Sequence, residues 1–139
     1  MKSILLVFVL FLFVTFVRSQ ESTGYDIAVT VENIETDGGQ ILAVLHTAET
    51  FMQGDGVGSV SVEGKKGSLT LDFQGVEPGT YALLVMHDLN GNYQMDFDQQ
   101  GMPVEKYGMS GKGLPMGPPS FYQAKFEVGE EHLEMTIKL

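Results

Sequence analysis

The feature that most constrains this chain is a period of two. From Tyr25 onward apolar and polar residues alternate in short runs broken by turn residues, and almost nothing repeats with the 3.6 period of a helix. Ile27, Val29 and Val31 alternate with Ala28, Thr30 and Glu32, the pattern of a half-buried strand. After an Asp37-Gly38-Gly39 turn, Ile41 to His46 is apolar on both parities, as expected of a central strand covered on both faces. Val60 and Val62 mark a short strand, and Leu69, Leu71 and Phe73 a longer one. Gly75 to Gly79 then supplies a Pro-Gly turn before the strand Tyr81–His87. Tyr122, Ala124, Phe126 and Val128, then Leu133, Met135, Ile137 and Leu139, flank Gly129-Glu130-Glu131 and read as a closing hairpin. The expected fold is all-β: an antiparallel β-sandwich of about seven strands with one long Gly/Pro-rich loop.

The N-terminus does not belong to that pattern. Lys2, the apolar run Ile4 to Val17 and the residues up to Ser19 make a signal peptide over residues 1–19, cleaved before Gln20. A membrane span needs about 20 apolar residues, and this run is too short by over a turn of helix. Residues 20–139 are then a single domain, exported to the periplasm or the extracellular space, with no membrane span after cleavage. Cleavage leaves 6 basic against 18 acidic residues, a net charge of −12. Such a surface repels phosphate backbones and anionic lipid and favours cations, which excludes nucleic acid as a partner. The absence of cysteine removes disulfides, thiol catalysis and Cys-based zinc sites.

The alternation fails from Asp88 to Ser120. A segment this long without periodicity is uncommon in a compact domain and is where function concentrates. It opens with oxygen-bearing side chains at Asp88, Asn90, Asn92 and Asp96. That is the 1, 3, 5, 9 spacing with which a tightly curled loop aims alternate side chains at one hard cation, Gln94 supplying a backbone carbonyl and Asp98 a further carboxylate. Ca²⁺ is the expected ion. The match to an EF-hand-type or dockerin-type loop is partial: Tyr93 stands where Gly is usual and Gln99 where a bidentate Glu is usual. Affinity is therefore expected near 10⁻⁴ to 10⁻³ M, on the order of that of extracellular modules. The competing reading is a tight Asn90-Gly91 hairpin turn capped by Asx side chains.

Two other chemistries present themselves. His87 with Asp88 or Glu105 offers an acid–base pair for a small-substrate enzyme, against a structural role for His87 at the strand end. Met86, Met95, Met102, Met109 and Met116 cluster in the same segment and offer soft ligands for Cu(I), against a role as flexible apolar plugs. A phosphate loop fails because Gly113 follows Lys112, and a hydrolase elbow fails because Ser110 lacks the G-x-S-x-G spacing.

Taken in order, these motifs resemble a bacterial family of exported proteins, domain-of-unknown-function family 2141. The resemblance lies in Gly38-Gly39-Gln40-Ile41, in Phe73 to Ala82, in His87-Asp88 with Asn90-Gly91-Asn92 and Asp96, in Gly101 to Glu105, in Tyr107 to Ser110, and in Gly117 to Phe121 with Ala124 and Phe126. The Pro-Gly-Thr-Tyr corner is also similar to transthyretin-like and collagen-adhesin B-type sandwiches. The resemblance implies the fold and brings no activity, substrate or catalytic residue. The resulting expectation is a non-enzymatic exported module whose loop recognises an envelope protein, an extracellular peptide or a glycan.

Overall fold

The computed structural model describes residues 24–111 and 118–139. Residues 1–19, expected to be a signal peptide, and Met116 with its neighbours Lys112 to Gly117, lie outside the described residues. Eight strands and one helical turn are present among those described: β1 (Tyr25–Ile34), β2 (Gln40–His46), β3 (Gly58–Glu63), β4 (Gly67–Val76), β5 (Gly79–Asp88), β6 (Tyr107–Met109), α1 (Phe121–Ala124), β7 (Phe126–Val128) and β8 (Leu133–Lys138). They form two sheets, one ordered β4-β1-β8 and the other β3-β2-β5-β6, with β7 also pairing with β5. The β-sandwich is as expected, with β6 as an additional strand. No helix among the described residues is long and apolar enough to cross a membrane.

Alternation supplies the core directly. Ile27, Val29 and Val31 of β1, Leu71 and Phe73 of β4, and Ile137 of β8 face Ile41, Ala43 and Leu45 of β2, and Leu83 and Val85 of β5. The other parity is also covered: on β5, Phe51, Met109 and Ala124 pack with Ala82, Leu84 and Phe121 in a second, smaller cluster, and on β2, Leu42 and His46 are buried, His46 against Phe51. That is why β2 is apolar on both parities.

The connection from β4 to β5 crosses between sheets. There the Tyr81 hydroxyl donates back to the Glu77 carbonyl at 3.0 Å, tying the corner down in the manner of a tyrosine corner. The closing hairpin is not formed. Phe121–Ala124 is a helical turn, β7 pairs antiparallel with β5, and β8 crosses to the other sheet and pairs parallel with β1. Alternation records which face of a strand is buried and not which neighbour it pairs with, and Val128 and Ile137 reach the same core by either route.

Candidate functional site

β5 ends on two residues that the pleat sends to opposite faces. His87 points inward, where its Nε2 lies 2.8 Å from the Gly38 carbonyl and its backbone N–H donates to the Lys106 carbonyl at 2.9 Å. Gly64 is pressed against the same ring: a Cβ there would come 2.7 Å from Nε2. Asp88 points outward and is completely buried. Its Oδ1 accepts the backbone N–H groups of Gly91 (2.7 Å) and Asn92 (3.3 Å), and its Oδ2 accepts that of Tyr93 (2.7 Å). Three donors on one carboxylate curl the chain, and both Gly91 (φ 72°) and Tyr93 (φ 59°) turn left-handed to complete the curl. Tyr93 adopts this conformation against a steric cost of about 1 kcal/mol, at the position that in cation-binding loops is reserved for glycine.

The curled loop brings its other oxygen-bearing side chains together. Asn90 Nδ2 donates to Asp96 Oδ2 at 2.6 Å, and Asn92 Nδ2 lies 3.1 Å from both Asp96 oxygens. Asn90 Oδ1 accepts from the Asn92 backbone at 3.2 Å, and Asn92 Oδ1 from that of Gln94 at 2.9 Å. Asp88, Asn90, Asn92 and Asp96 therefore share one cradle, which Gln94 joins through its backbone. Asp98 makes none of these bonds and closes the next turn, where its Oδ1 accepts the backbone N–H groups of Gln100 and Met102, both at 2.9 Å.

Glu105 enters the cradle from 17 residues beyond Asp88. It is 8% exposed, and its Oε2 accepts the Asp96 backbone N–H at 3.3 Å. Burial, reinforced by the carboxylates of Asp88 and Asp96, raises its carboxyl above the ordinary value of 4.5, against the opposing N–H groups of Asp96 and Leu89. Glu105, which the spacing from Asp88 does not reach, is thus the further carboxylate set beside Asp96. The only sequence feature that bears on it is the lack of an acid at Gln99. Among the described residues no three acidic or histidine side chains form a metal-ligating group by themselves. Any ion here must draw on the Asn90 and Asn92 amides as well.

Parts of the two rival sites are separated in space. His87 and Asp88 face opposite sides of the sheet, and His87 Nε2 is engaged by Gly38, so they make no acid–base pair. Ser110 is buried, its hydroxyl bonded to the Ala124 carbonyl and accepting the Leu83 N–H at 2.8 Å. His46 is buried against Phe51, its Nδ1 2.9 Å from the Thr50 carbonyl, and burial lowers its pKa below 6.5 despite that bond. Met109 is in the small cluster while Met102 is 62% exposed, so those two thioethers serve different surroundings.

Beyond the cradle, residues 96–104 form a two-stranded ribbon. Phe97 pairs with Pro103, the Val104 N–H bonds the Asp96 carbonyl at 3.0 Å, and the Asp98 N–H bonds the Met102 carbonyl at 2.9 Å. Of the eight large apolar side chains exposed among the described residues, five lie on this loop: Leu89, Tyr93, Phe97, Met102 and Val104. At the opposite end of the sandwich, an open groove of about 510 Å³ runs between the edges of β3 and β4, floored by Val60, Phe73 and Val76 beside Tyr81.

Comparison with curated proteins and with solved structures finds no match. A family model described as uncharacterized protein conserved in bacteria (DUF2141) matches residues 29–136, from β1 through the cradle and ribbon into β8. The chain belongs to that family of bacterial proteins.

Proposed function

We propose that this protein is an exported, non-catalytic recognition module of the bacterial envelope or extracellular space, with the loop 88–106 as its binding element. The observation that carries this reading is the contrast between the loop's foot and its tip. A fully buried carboxylate fixes the loop's backbone, while five large apolar side chains on the same loop are held in solvent. Exposed apolar groups on a rigid mount are what an interaction site needs. His87, the best-placed acid–base candidate, is engaged by the Gly38 carbonyl instead.

The finer part of the reading is that Ca²⁺ completes the cradle, held by Asp88, Asn90, Asn92, the Gln94 carbonyl and Asp96, with Glu105 as the late carboxylate. It is supported by the left-handed Tyr93 and by the desolvated Glu105, whose charge is unfavourable beside Asp88 and Asp96 until a cation offsets it. The test is thermal unfolding of the protein and of Glu105→Gln, in EDTA and in Ca²⁺, with Mg²⁺ as control. A site with a Kd of about 10⁻⁴ M adds about 2.7 kcal/mol at roughly 10 mM ion. In EDTA the Gln variant should be at least as stable as the parent, because it removes a desolvated charge. In Ca²⁺ the order should reverse. Equal unfolding temperatures in EDTA and Ca²⁺ for the parent would end the calcium part and leave a loop closed by its own amides.

A further inference from the structure

We infer that the ribbon Asp96–Val104 docks a cationic, apolar-bearing peptide segment of a partner protein. This rests on the recognition reading above and narrows its partner to one chemical class.

Register decides which side chains share a face. In the ribbon, Phe97 and Pro103 form a pair on one face, so the period of two sends Asp96, Asp98, Met102 and Val104 to the other. Asp98 stands opposite Met102 and Asp96 opposite Val104, with Met102 and Val104 both more than half exposed. On that face the Asp96 carboxylate is held by the Asn90 and Asn92 amides, so Asp98, whose Oδ1 serves its own turn, is the carboxylate that stands beside the unpartnered Met102 and Val104. Charge then selects among partners. From Leu89 to Glu105 the chain carries Asp96, Asp98 and Glu105 and no Lys, Arg or His. Lys106, the base nearest in sequence, is 3.2 Å from Glu35 and committed to it. A surface of this sign repels anionic lipid, phosphate and, at a net charge of −10, a second copy of the chain. It attracts a segment that brings Lys or Arg together with apolar residues.

The kind of apolar surface separates a peptide from a glycan. Sugars are gripped by flat aromatic faces, whereas the carboxylate-bearing face of the ribbon presents Met102 and Val104, a thioether and an aliphatic group. A Met-bearing surface repacks readily around peptide side chains. The ribbon is also small against the roughly 800 Å² per partner of a stable interface, so the complex should be transient and salt-sensitive.

The experiment titrates the purified protein, in EDTA so that the calcium part of the reading has no bearing, with a labelled peptide of about twelve residues alternating Lys and Leu, long enough to cover the ribbon. A Glu/Leu peptide, neutral oligosaccharides and zwitterionic vesicles run alongside. The Lys/Leu peptide should bind and the Glu/Leu peptide should not. Binding should weaken about tenfold in the double variant Met102→Ser, Val104→Ser, as expected when interface anchors are truncated. It should weaken several-fold in Asp98→Asn, which keeps the Oδ1 acceptor for the turn. It should not change in Asp72→Asn, on the outer face of the other sheet. Met102→Ser alone carries the test should the double variant unfold.

Peptide binding that is equal in the ribbon variants and weakened by Asp72→Asn would overturn the inference, since it would be general charge attraction. Ribbon-dependent binding of a glycan, of vesicles or of a second copy would overturn it and leave the recognition reading standing. No ribbon-dependent binding to any probe would overturn both.

Discussion

Residues 88–106 and the segment that follows them, 107–111 with 118–124, are neighbours in the chain and alike in their glycines, prolines and methionines, yet one stands off the sandwich and the other is pressed onto it. The first exposes Leu89, Phe97, Met102 and Val104; the second buries Met109, Ser110 and Ala124. Their glycines differ in the same way. Gly91 (φ 72°) and Gly101 (φ 79°) have open space where a side chain would go, so they are there for their backbone angles. A Cβ on Gly108 would instead collide with the Lys138 carbonyl and lie 2.7 Å from Ile137 Cγ2, and one on Gly111 would collide with the Gln123 carbonyl. Gly108 is there for close approach to β8, and Gly111 (φ 98°) combines close approach to α1 with a left-handed backbone. Composition alone does not separate a projecting loop from a cover; what a missing Cβ would touch does.

The largest effect that tests this contrast is on stability. Gly108→Ala forces backbone apart inside the sandwich and should cost about 3 kcal/mol, the upper range for overpacking. Gly101→Ala meets no atom and should cost only the left-handed penalty, about 1 kcal/mol. Thermal or urea unfolding of the two variants checks the order. Equal costs would mean that the ribbon is packed against something, and the contrast would fail.

Much of this fold is legible in the alternation. β1, β4, β5 and β8 follow from which parity is apolar, β2 from being apolar on both, and the turn at Pro78-Gly79 from turn chemistry, which does not separate a hairpin from the crossing between sheets that forms. The division of the long segment is not legible, because β6 is only Tyr107-Gly108-Met109 and three residues show no period. Nor is α1: Tyr122, Ala124, Phe126 and Val128 alternate by coincidence, and the helical turn wins because it puts Ala124 into the small cluster and gives the Ser110 hydroxyl a carbonyl to bond. At the site, spacing alone finds Asp88, Asn90, Asn92 and Asp96, since a curled loop makes chain order into geometry. Asp98 fits the same spacing but is captured by its own turn. Glu105 is invisible to spacing because the ribbon, and not the curl, carries it back.

A smaller effect separates the anchors of the two regions. Asp88→Asn keeps the side chain's shape but turns an amide N–H₂ toward a backbone N–H, leaving a buried donor unpaired at a cost of about 2 kcal/mol. That cost falls on the loop: proteolysis and amide exchange within 89–105 should rise while the global unfolding midpoint moves little. Ser110→Ala strips the Leu83 N–H and the Ala124 carbonyl of a shared partner at a cost of about 1 kcal/mol or more, and it should lower the global midpoint, because β5 and α1 are both in the packed body. A global loss from Asp88→Asn equal to that from Ser110→Ala would show that the loop unfolds only with the sandwich.

The smallest effect concerns pH, and the two regions should respond with opposite sign. Glu105, in the projecting region, titrates above its ordinary 4.5 when folded. Between that value and the raised one, the folded protein holds a proton that the unfolded chain has released, so stability falls as pH rises through the window and is regained on acidification. His46, at the end of β2, packs on Phe51, which shares the small cluster with Met109 and Ala124 of the pressed-on segment, and its folded pKa lies below 6.5. There the unfolded chain binds the proton first, so this contribution is present above 6.5 and is lost as pH falls. In EDTA, Glu105→Gln should therefore be more stable than the parent at neutral pH, with the difference closing as pH approaches 4.5. The amide exchange that signals opening should shift to the Phe51 cover on acidification and to the 88–106 loop on neutralisation. Exchange rising in both regions together would tie them into a single opening unit and remove the distinction from which the recognition reading starts.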